Sequence, residues 1–186
     1  MGEKKYKNKY KIGSIRLKSW DYRSEGYYFI TICTKGRIHF FGEIEKAVMI
    51  KNNFGEIAEK YWKEIPKHFT DVTLDEYIIM PDHIHGIIII SDGNQHGNGN
   101  GNGGCVACNT STMSIYSKIT PKPGSISTII RSFKSACTNE INKSQNKIQF
   151  GWQSRFYDHI IRDEASLCRI RKYIINNVKK YKEPNY

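Results

Sequence analysis

The spacing of hydrophobic residues along the chain alternates between two periods, which predicts strands as well as helices. Runs rich in β-branched and aromatic residues predict strands at Tyr27–Thr34, Val72–Met80, His83–Ile90 and Phe150–Arg162. Apolar residues at three- and four-residue steps predict helices from Asn52 or Asn53 to Ile65, at Ser125–Asn139 and at Asp163–Lys182.

Local signals refine these boundaries. Arg37–Glu43 is expected to form a hairpin with the first strand, with Lys35-Gly36 at the turn. Asn52 or Asn53 is expected to cap the first helix, and Pro66 to end it. The succession of elements predicts an α+β fold in which helices pack on one antiparallel sheet.

The 186 residues are expected to form one domain, residues 1–186, with two irregular parts. One is a basic, aromatic N-terminal arm over residues 1–25. The other is a flexible Gly/Asn-rich insertion over residues 91–124. Cys105 and Cys108 fall in this insertion as a Cys-x-x-Cys pair. A zinc site would need a second Cys/His pair at suitable spacing, and the sequence offers only His96 nearby.

The charge of the chain indicates what it binds. Its 29 Lys and Arg residues against 18 Asp and Glu residues give a formal net charge of +11. Such a chain attracts polyanions, and nucleic acid is the expected partner. No basic amphipathic helix of the membrane-surface type is visible. No apolar stretch is long enough to span a bilayer, no signal peptide is expected, and the five scattered cysteines favour a reducing cytoplasm.

The run HIHGIIII contains the first candidate for chemistry. Side chains alternate between the faces of a strand, so His83 and His85 project the same way and could bind one metal ion. Ile84, Gly86 and Ile88 then face the opposite side, under the helices. The alternative is that one histidine is exposed and the other belongs to the core. Asp82 is expected to point away from His83.

The last predicted helix contains the second candidate. Tyr173 and Asn177 are spaced i, i+4 and are expected to share one face beside the apolar stripe. The alternative is that Tyr173, one of twelve tyrosines, only packs. Basic residues on the remaining face are candidates for DNA contacts: Arg171, Lys172 and Lys179.

Three motifs together, MPDHIHGIIII, WQSRFYDHIIRDE and RKYIINN, resemble the REP-associated tyrosine transposases, relatives of the single-tyrosine HUH transposases. The resemblance implies a ferredoxin-like sheet with the His-x-His pair on a central strand. It implies His83, His85 and Asn177 as ligands of Mg²⁺ or Mn²⁺, and Tyr173 as nucleophile. The family usually has a proline after the position of Asn177. This chain has Val178, so its helix is expected to extend by about a turn.

The resemblance also implies a reaction and a partner. Tyr173 would attack a phosphate of single-stranded DNA at a hairpin and form a 5′-phosphotyrosyl link. Two imidazoles and an amide carry no charge, so metal binding is expected to be weak until DNA supplies phosphate oxygens. Lysines and arginine of the N-terminal arm are further DNA-binding candidates: Lys4, Lys5, Lys7, Lys9, Lys11, Arg16 and Lys18.

Two other functions stay open at this point. A metal-dependent nuclease would use water in place of Tyr173. A domesticated hairpin-binding protein would hold DNA without cutting it. Whether the protein is a monomer or a homodimer is also open.

Overall fold

The computed structural model describes residues 20–91, 124–144 and 149–181. It also describes the backbone of two short paired strands, β1 (Lys5–Tyr6) and β2 (Tyr10–Lys11). The candidate DNA-binding side chains of the arm (Lys4, Lys5, Lys7, Lys9, Lys11, Arg16 and Lys18) and Cys105 and Cys108 of the insertion lie outside the described residues. The roles assigned to them therefore stay predictions.

The remaining elements follow in chain order: β3 (Gly26–Cys33), β4 (Gly42–Glu45), β5 (Val48–Lys51), α1 (Asn53–His68), β6 (Val72–Met80), β7 (His83–Ile90), α2 (Ile126–Ser144), β8 (Tyr157–Ile161), α3 (Glu164–Ile175) and α4 (Asn177–Lys180). Four strands form an antiparallel sheet in the order β6-β7-β3-β8. With α1 and α2 interleaved, this is the ferredoxin-like α+β arrangement that was predicted. In the described part of the chain, no helix is both long and apolar enough to cross a membrane.

The two faces of the sheet differ in what covers them. On one face, α1 and α2 pack on strand residues such as Ile30, Ile84 and Ile88 to form the main core. On the other face, a smaller cluster joins the sheet to α3: Phe29, Ile87, Ile161, Leu167 and Ile174. Since α3 covers only part of this second face, polar and aromatic side chains remain accessible beside it.

Gly86 lets α1 approach the middle of β7. A Cβ atom at this position would lie 2.3 Å from Cζ2 of the fully buried Trp62. Glycine is therefore the residue that allows the indole to pack against the backbone of the strand. The predicted placement of Ile84, Gly86 and Ile88 on the helix-covered face is confirmed.

The predicted hairpin between Tyr27–Thr34 and Arg37–Glu43 is wrong. Both edges of β3 are taken by β7 and β8, and the residues after β3 form a short 3-10 turn, Lys35–Arg37. A hairpin does follow, but it pairs β4 with β5. Its two-residue turn, Lys46-Ala47, has positive φ angles of 47° and 60°, the conformation typical of tight hairpins.

The helix ends also differ from prediction. Asn52 caps α1 by accepting hydrogen bonds from the amides of Phe54 and Gly55, as predicted. However, α1 continues through Pro66 to His68, so the proline lies inside the last turn and does not end the helix. The predicted final strand at 150–162 is limited to β8, with one isolated bridge joining Thr34 and Trp152 before it.

Candidate functional site

The His-x-His pair lies on β7, an inner strand of the sheet. In the strand register, His83 is opposite Cys33 and His85 is opposite Thr31. Both side chains are buried, with 6% of each residue exposed. Their Nε2 atoms are 3.1 Å apart, so the two imidazoles converge, as the alternation of the strand predicted.

The second nitrogen of each imidazole, Nδ1, also contacts a neighbouring side chain. Nδ1 of His83 lies 2.5 Å from a carboxylate oxygen of Asp82. Nδ1 of His85 lies 2.8 Å from the hydroxyl oxygen of Thr31. The contact with Asp82 is typical of metal-binding histidines, whose second nitrogen usually donates to a carboxylate, a backbone carbonyl or water.

The expectation that Asp82 points away from His83 is wrong. Alternation applies within a strand, but Asp82 lies in the turn before β7. Its carboxylate is buried and also accepts from Nε of Arg37 at 2.7 Å. Burial alone would raise the pKa of Asp82, but the hydrogen bond from His83 and the charge of Arg37 hold that pKa below its ordinary value.

These contacts restrict the proton positions. A carboxylate only accepts hydrogen bonds, so Nδ1 of His83 carries a proton, and a neutral His83 presents a lone pair at Nε2. Two arrangements then suit the facing Nε2 atoms. Either His85 donates its Nε2 proton to His83 while the Thr31 hydroxyl donates to His85, or both lone pairs bind one cation while Thr31 accepts.

Burial favours the uncharged form of His85. Desolvation, followed by the nearby charges of His83 and Arg37, lowers the pKa of His85 from 6.5 to about 3. A neutral imidazole is the form that binds metal ions. At neutral pH the His85 imidazole is therefore uncharged, as metal binding requires.

The spacing of the two nitrogens fits a shared metal ion. Two nitrogen ligands about 2.1 Å from one ion, at an angle of about 90–110°, are about 3.0–3.4 Å apart. The 3.1 Å between the two Nε2 atoms falls in this range. Among the described residues, no group of three or more His, Cys, Asp or Glu side chains could hold a metal ion. A third ligand drawn from these described residues would be of another type, such as an amide.

Asn177 is the amide that the resemblance implies. It is buried, with 8% exposed, and its side chain has no hydrogen-bond partner within the part of the chain that the structure describes. The single helix predicted over residues 163–182 is wrong, because Asn176 separates α3 from α4. Asn177 therefore begins a new short helix, and its position does not follow from the i, i+4 spacing of a continuous helix.

Tyr173 lies near the end of α3, beside the histidine pair. Its hydroxyl oxygen is 3.2 Å from Nε2 of His85, and the two rings meet edge to face with centroids 5.2 Å apart. The residue is 43% exposed. The hydroxyl therefore lies where buried imidazoles meet solvent, a position from which it could reach a bound substrate.

The basic residues of the last helices have different environments. Arg171 donates to the carboxylate of Asp75 on β6, with Nη2 at 2.7 Å from Oδ2. Lys172 on α3 and Lys179 on α4 are exposed. Their predicted contacts with DNA stay predictions, and Arg171 would have to share its guanidinium with Asp75.

Three residues at this site escaped the sequence interpretation: Thr31, Arg37 and Asp82. Arg37 adopts φ 59° in the turn after β3, and its guanidinium contacts Asp82 in the turn before the neighbouring strand β7. No local motif marks Thr31 or Arg37, since both act on residues about fifty positions away. The signal for Asp82 was its place directly before His83, after Pro81 at a strand boundary.

This protein is similar to known proteins in sequence and in fold. No protein-family model matches the sequence. An uncharacterized protein of Haemophilus influenzae is 40% identical over 167 residues, which cover 88% of this chain and 86% of that protein. A solved structure of the REP-associated tyrosine transposase bound to a REP hairpin is similar with a TM-score of 0.57 and 15% identity, covering 89% of this chain and 74% of that one. The chain thus belongs to the same family as the Haemophilus influenzae protein, and its fold is that of the REP-associated tyrosine transposase.

Proposed function

We propose that this protein is a metal-dependent single-tyrosine DNA transposase that cuts and rejoins single-stranded DNA. The observation that supports it most directly is the 3.2 Å contact between the Tyr173 hydroxyl and His85, which is itself paired with His83. A solvent-accessible phenol beside two convergent imidazoles combines a nucleophile with a site that can bind a phosphate-coordinating ion.

The first step is attack of the Tyr173 oxygen on a DNA phosphorus. The new bond joins this oxygen to phosphorus, and the bond from phosphorus to the 3′ oxygen breaks. The phenol proton passes to solvent, and the 3′ oxygen takes up a proton as it leaves. Attack by a 3′-OH on the resulting 5′-phosphotyrosyl link reverses these changes and rejoins DNA without an external energy source.

The surrounding residues hold these groups in place. The Tyr173 hydroxyl lies 3.2 Å from Nε2 of His85, and Phe29 supports both rings from the sheet. A Mg²⁺ or Mn²⁺ ion held by His83, His85 and the Asn177 amide would withdraw charge from the non-bridging phosphate oxygens. Asp82 and Thr31 keep the two imidazoles in the orientation that such binding requires.

DNA hairpins are the proposed substrate. The related solved transposase is bound to a REP hairpin, and the net charge of +11 suits a polyanion. Because the protein ligands carry no charge, we expect weak Mn²⁺ binding by the free protein and tighter binding with DNA. Tight binding of Mn²⁺ without DNA in a calorimetric titration would contradict this part of the proposal.

The decisive experiment incubates labelled single-stranded hairpins, taken from the genomic surroundings of the gene, with Mn²⁺ or Mg²⁺. Wild type should form a denaturant-resistant protein–DNA adduct, and Tyr173→Phe should form none. Tyr181→Phe is the matched control, since Tyr181 also contacts a histidine, with its hydroxyl 3.0 Å from Nε2 of His39.

Other outcomes would redirect the assignment. Free cleaved ends from both wild type and Tyr173→Phe would indicate a nuclease that uses water. Tight binding without cleavage by either protein would indicate a hairpin-binding role.

A further inference from the structure

Phe29 is the centre of a cluster of rings on the sheet face that carries the histidines. His85 stacks on it with centroids 5.4 Å apart. Tyr173 meets it edge to face at 6.1 Å, and Tyr157 does the same at 6.3 Å. Since Phe29 is nearly buried, it fixes the positions of three rings around it.

Tyr157 is the member of this cluster that the proposed reaction does not use. It begins β8, the edge strand, and the strand register places it in one row with Thr31 and His85. Strands in a sheet are about 4.8 Å apart, so the Cα atoms of His85 and Tyr157 are separated by roughly 10 Å. The tyrosine therefore lies two strands away from the metal-binding candidate, on the same face.

The environment of Tyr157 differs from that of a packing residue. It is 45% exposed, and its hydroxyl has no hydrogen-bond partner among the residues that the structure describes. Its ring lies roughly perpendicular to that of Phe29, and its exposure leaves ring surface open to solvent. An exposed ring on a rigid strand is what a stacking platform for a nucleobase requires.

We propose that Tyr157 is a base-stacking subsite for single-stranded DNA, and that it binds the base of a nucleotide adjoining the phosphate attacked by Tyr173. This inference rests on the proposed function. Tyr173 and Tyr157 both contact Phe29 on this face of the sheet, so a strand whose phosphate lies at Tyr173 can reach Tyr157 along the same face. Stacking would hold this strand without reading its sequence, since every base has an aromatic face.

The partner follows from the charge as well as from the rings. The protein carries a net charge of +11, and α3 presents Lys172 directly before Tyr173. Lysine contacts to phosphates combined with aromatic stacking on bases are the usual means of binding single strands. A paired base in a duplex would have no free face for Tyr157, so the subsite is specific for the unpaired part of a substrate.

The test uses Tyr173→Phe protein, which keeps the ring on Phe29 but cannot form a covalent link. The probe is a DNA stem-loop with a short single-stranded flank, in which 2-aminopurine replaces one base at a time. Stacking on Tyr157 should quench the fluorescence at one position of the flank. Adding Tyr157→Ala should abolish this quenching and weaken binding about 5- to 150-fold, whereas Tyr157→Phe should preserve both.

Two controls separate stacking from general damage. Tyr27→Ala removes another exposed tyrosine from the same sheet face, near the opposite end of β3, and should leave quenching unchanged. The dependence of affinity on salt should also be the same with Tyr157→Ala, because no phosphate contact is lost. Unchanged affinity and quenching with a folded Tyr157→Ala protein would overturn the proposal, as would a reduced salt dependence.

Failure of this inference can be told apart from failure of the proposed function. If wild type forms the covalent adduct but Tyr157→Ala binds and quenches normally, only the stacking subsite is refuted. If quenching depends on Tyr157 but no adduct forms at Tyr173, the subsite stands and the cleavage mechanism falls. Absence of any binding to the single-stranded flank would refute the subsite directly.

Discussion

Replacing Asp82 by Asn tests whether this buried carboxylate sets the proton positions of the site. In the native site two donors meet the carboxylate, Nδ1 of His83 at 2.5 Å and Nε of Arg37 at 2.7 Å. An asparagine has one oxygen to accept and an NH₂ group that only donates. One of the two donors must therefore face another donor.

Each resolution of this conflict has a cost. If the amide oxygen faces His83, the Arg37 ion pair is lost. If the NH₂ group faces His83, that imidazole must take the other tautomer, with its proton on Nε2, where it can no longer bind metal. Losing one hydrogen bond to a charged group costs about 1.5–3 kcal/mol of stability, and loss of such a supporting contact typically reduces metal affinity about 10- to 100-fold.

The assay measures Mn²⁺ affinity in the presence of hairpin DNA, with Tyr173→Phe protein to prevent cleavage, alongside urea unfolding. Asp75→Asn is the matched control, because Asp75 is likewise a carboxylate paired with an arginine, Arg171, but none of its hydrogen bonds in the described part of the chain is to a histidine. It should lose stability but keep its Mn²⁺ affinity. A folded Asp82→Asn protein with Mn²⁺ affinity within about twofold of its parent would refute the reasoning.

Other substitutions probe the supports of the site and the core. Thr31→Val removes the hydroxyl 2.8 Å from His85 and should weaken Mn²⁺ binding by up to about tenfold, whereas Thr31→Ser should retain it; the same titration checks both. Gly86→Ala should destabilise the protein by about 1–3 kcal/mol in urea unfolding, because the new Cβ meets Trp62 at 2.3 Å. Burial lowers the pKa of Lys134 from 10.5 to about 8, so the unfolded chain binds more protons than the folded one between these values. Stability should therefore rise with pH from 8 to 10, by at most about 1.4 kcal/mol per unit, and Lys134→Met should flatten this rise in unfolding measurements.

The sequence by itself determined most of the local structure near the site. The alternation in HIHGIIII places both histidines on one face and Ile84 and Ile88 on the other, and the structure agrees. This worked because any strand places residues i and i+2 on the same side, whatever the strand pairs with. The helical spacing likewise predicted α1 and α2, since an apolar stripe must be buried.

Partners distant in the sequence were decided by the tertiary structure alone. The local pattern suggested that β3 would pair with the next segment, but β7 and β8 occupy its edges. Hydrogen bonding between strands is the same for any sequence, so local propensity does not choose the partner. The contacts of Thr31 and Arg37 with the site follow from that choice.

The end of the last helix and the turn before β7 also could not be predicted from periodicity alone. A continuous last helix was the natural interpretation of its sequence, yet Asn176 interrupts it and Asn177 is buried at the start of α4. Asp82 can contact His83 because it lies in a turn, where the alternation of a strand no longer holds. Periodicity constrains side chains within an element, whereas packing between elements decides where each element ends and which side chains meet there.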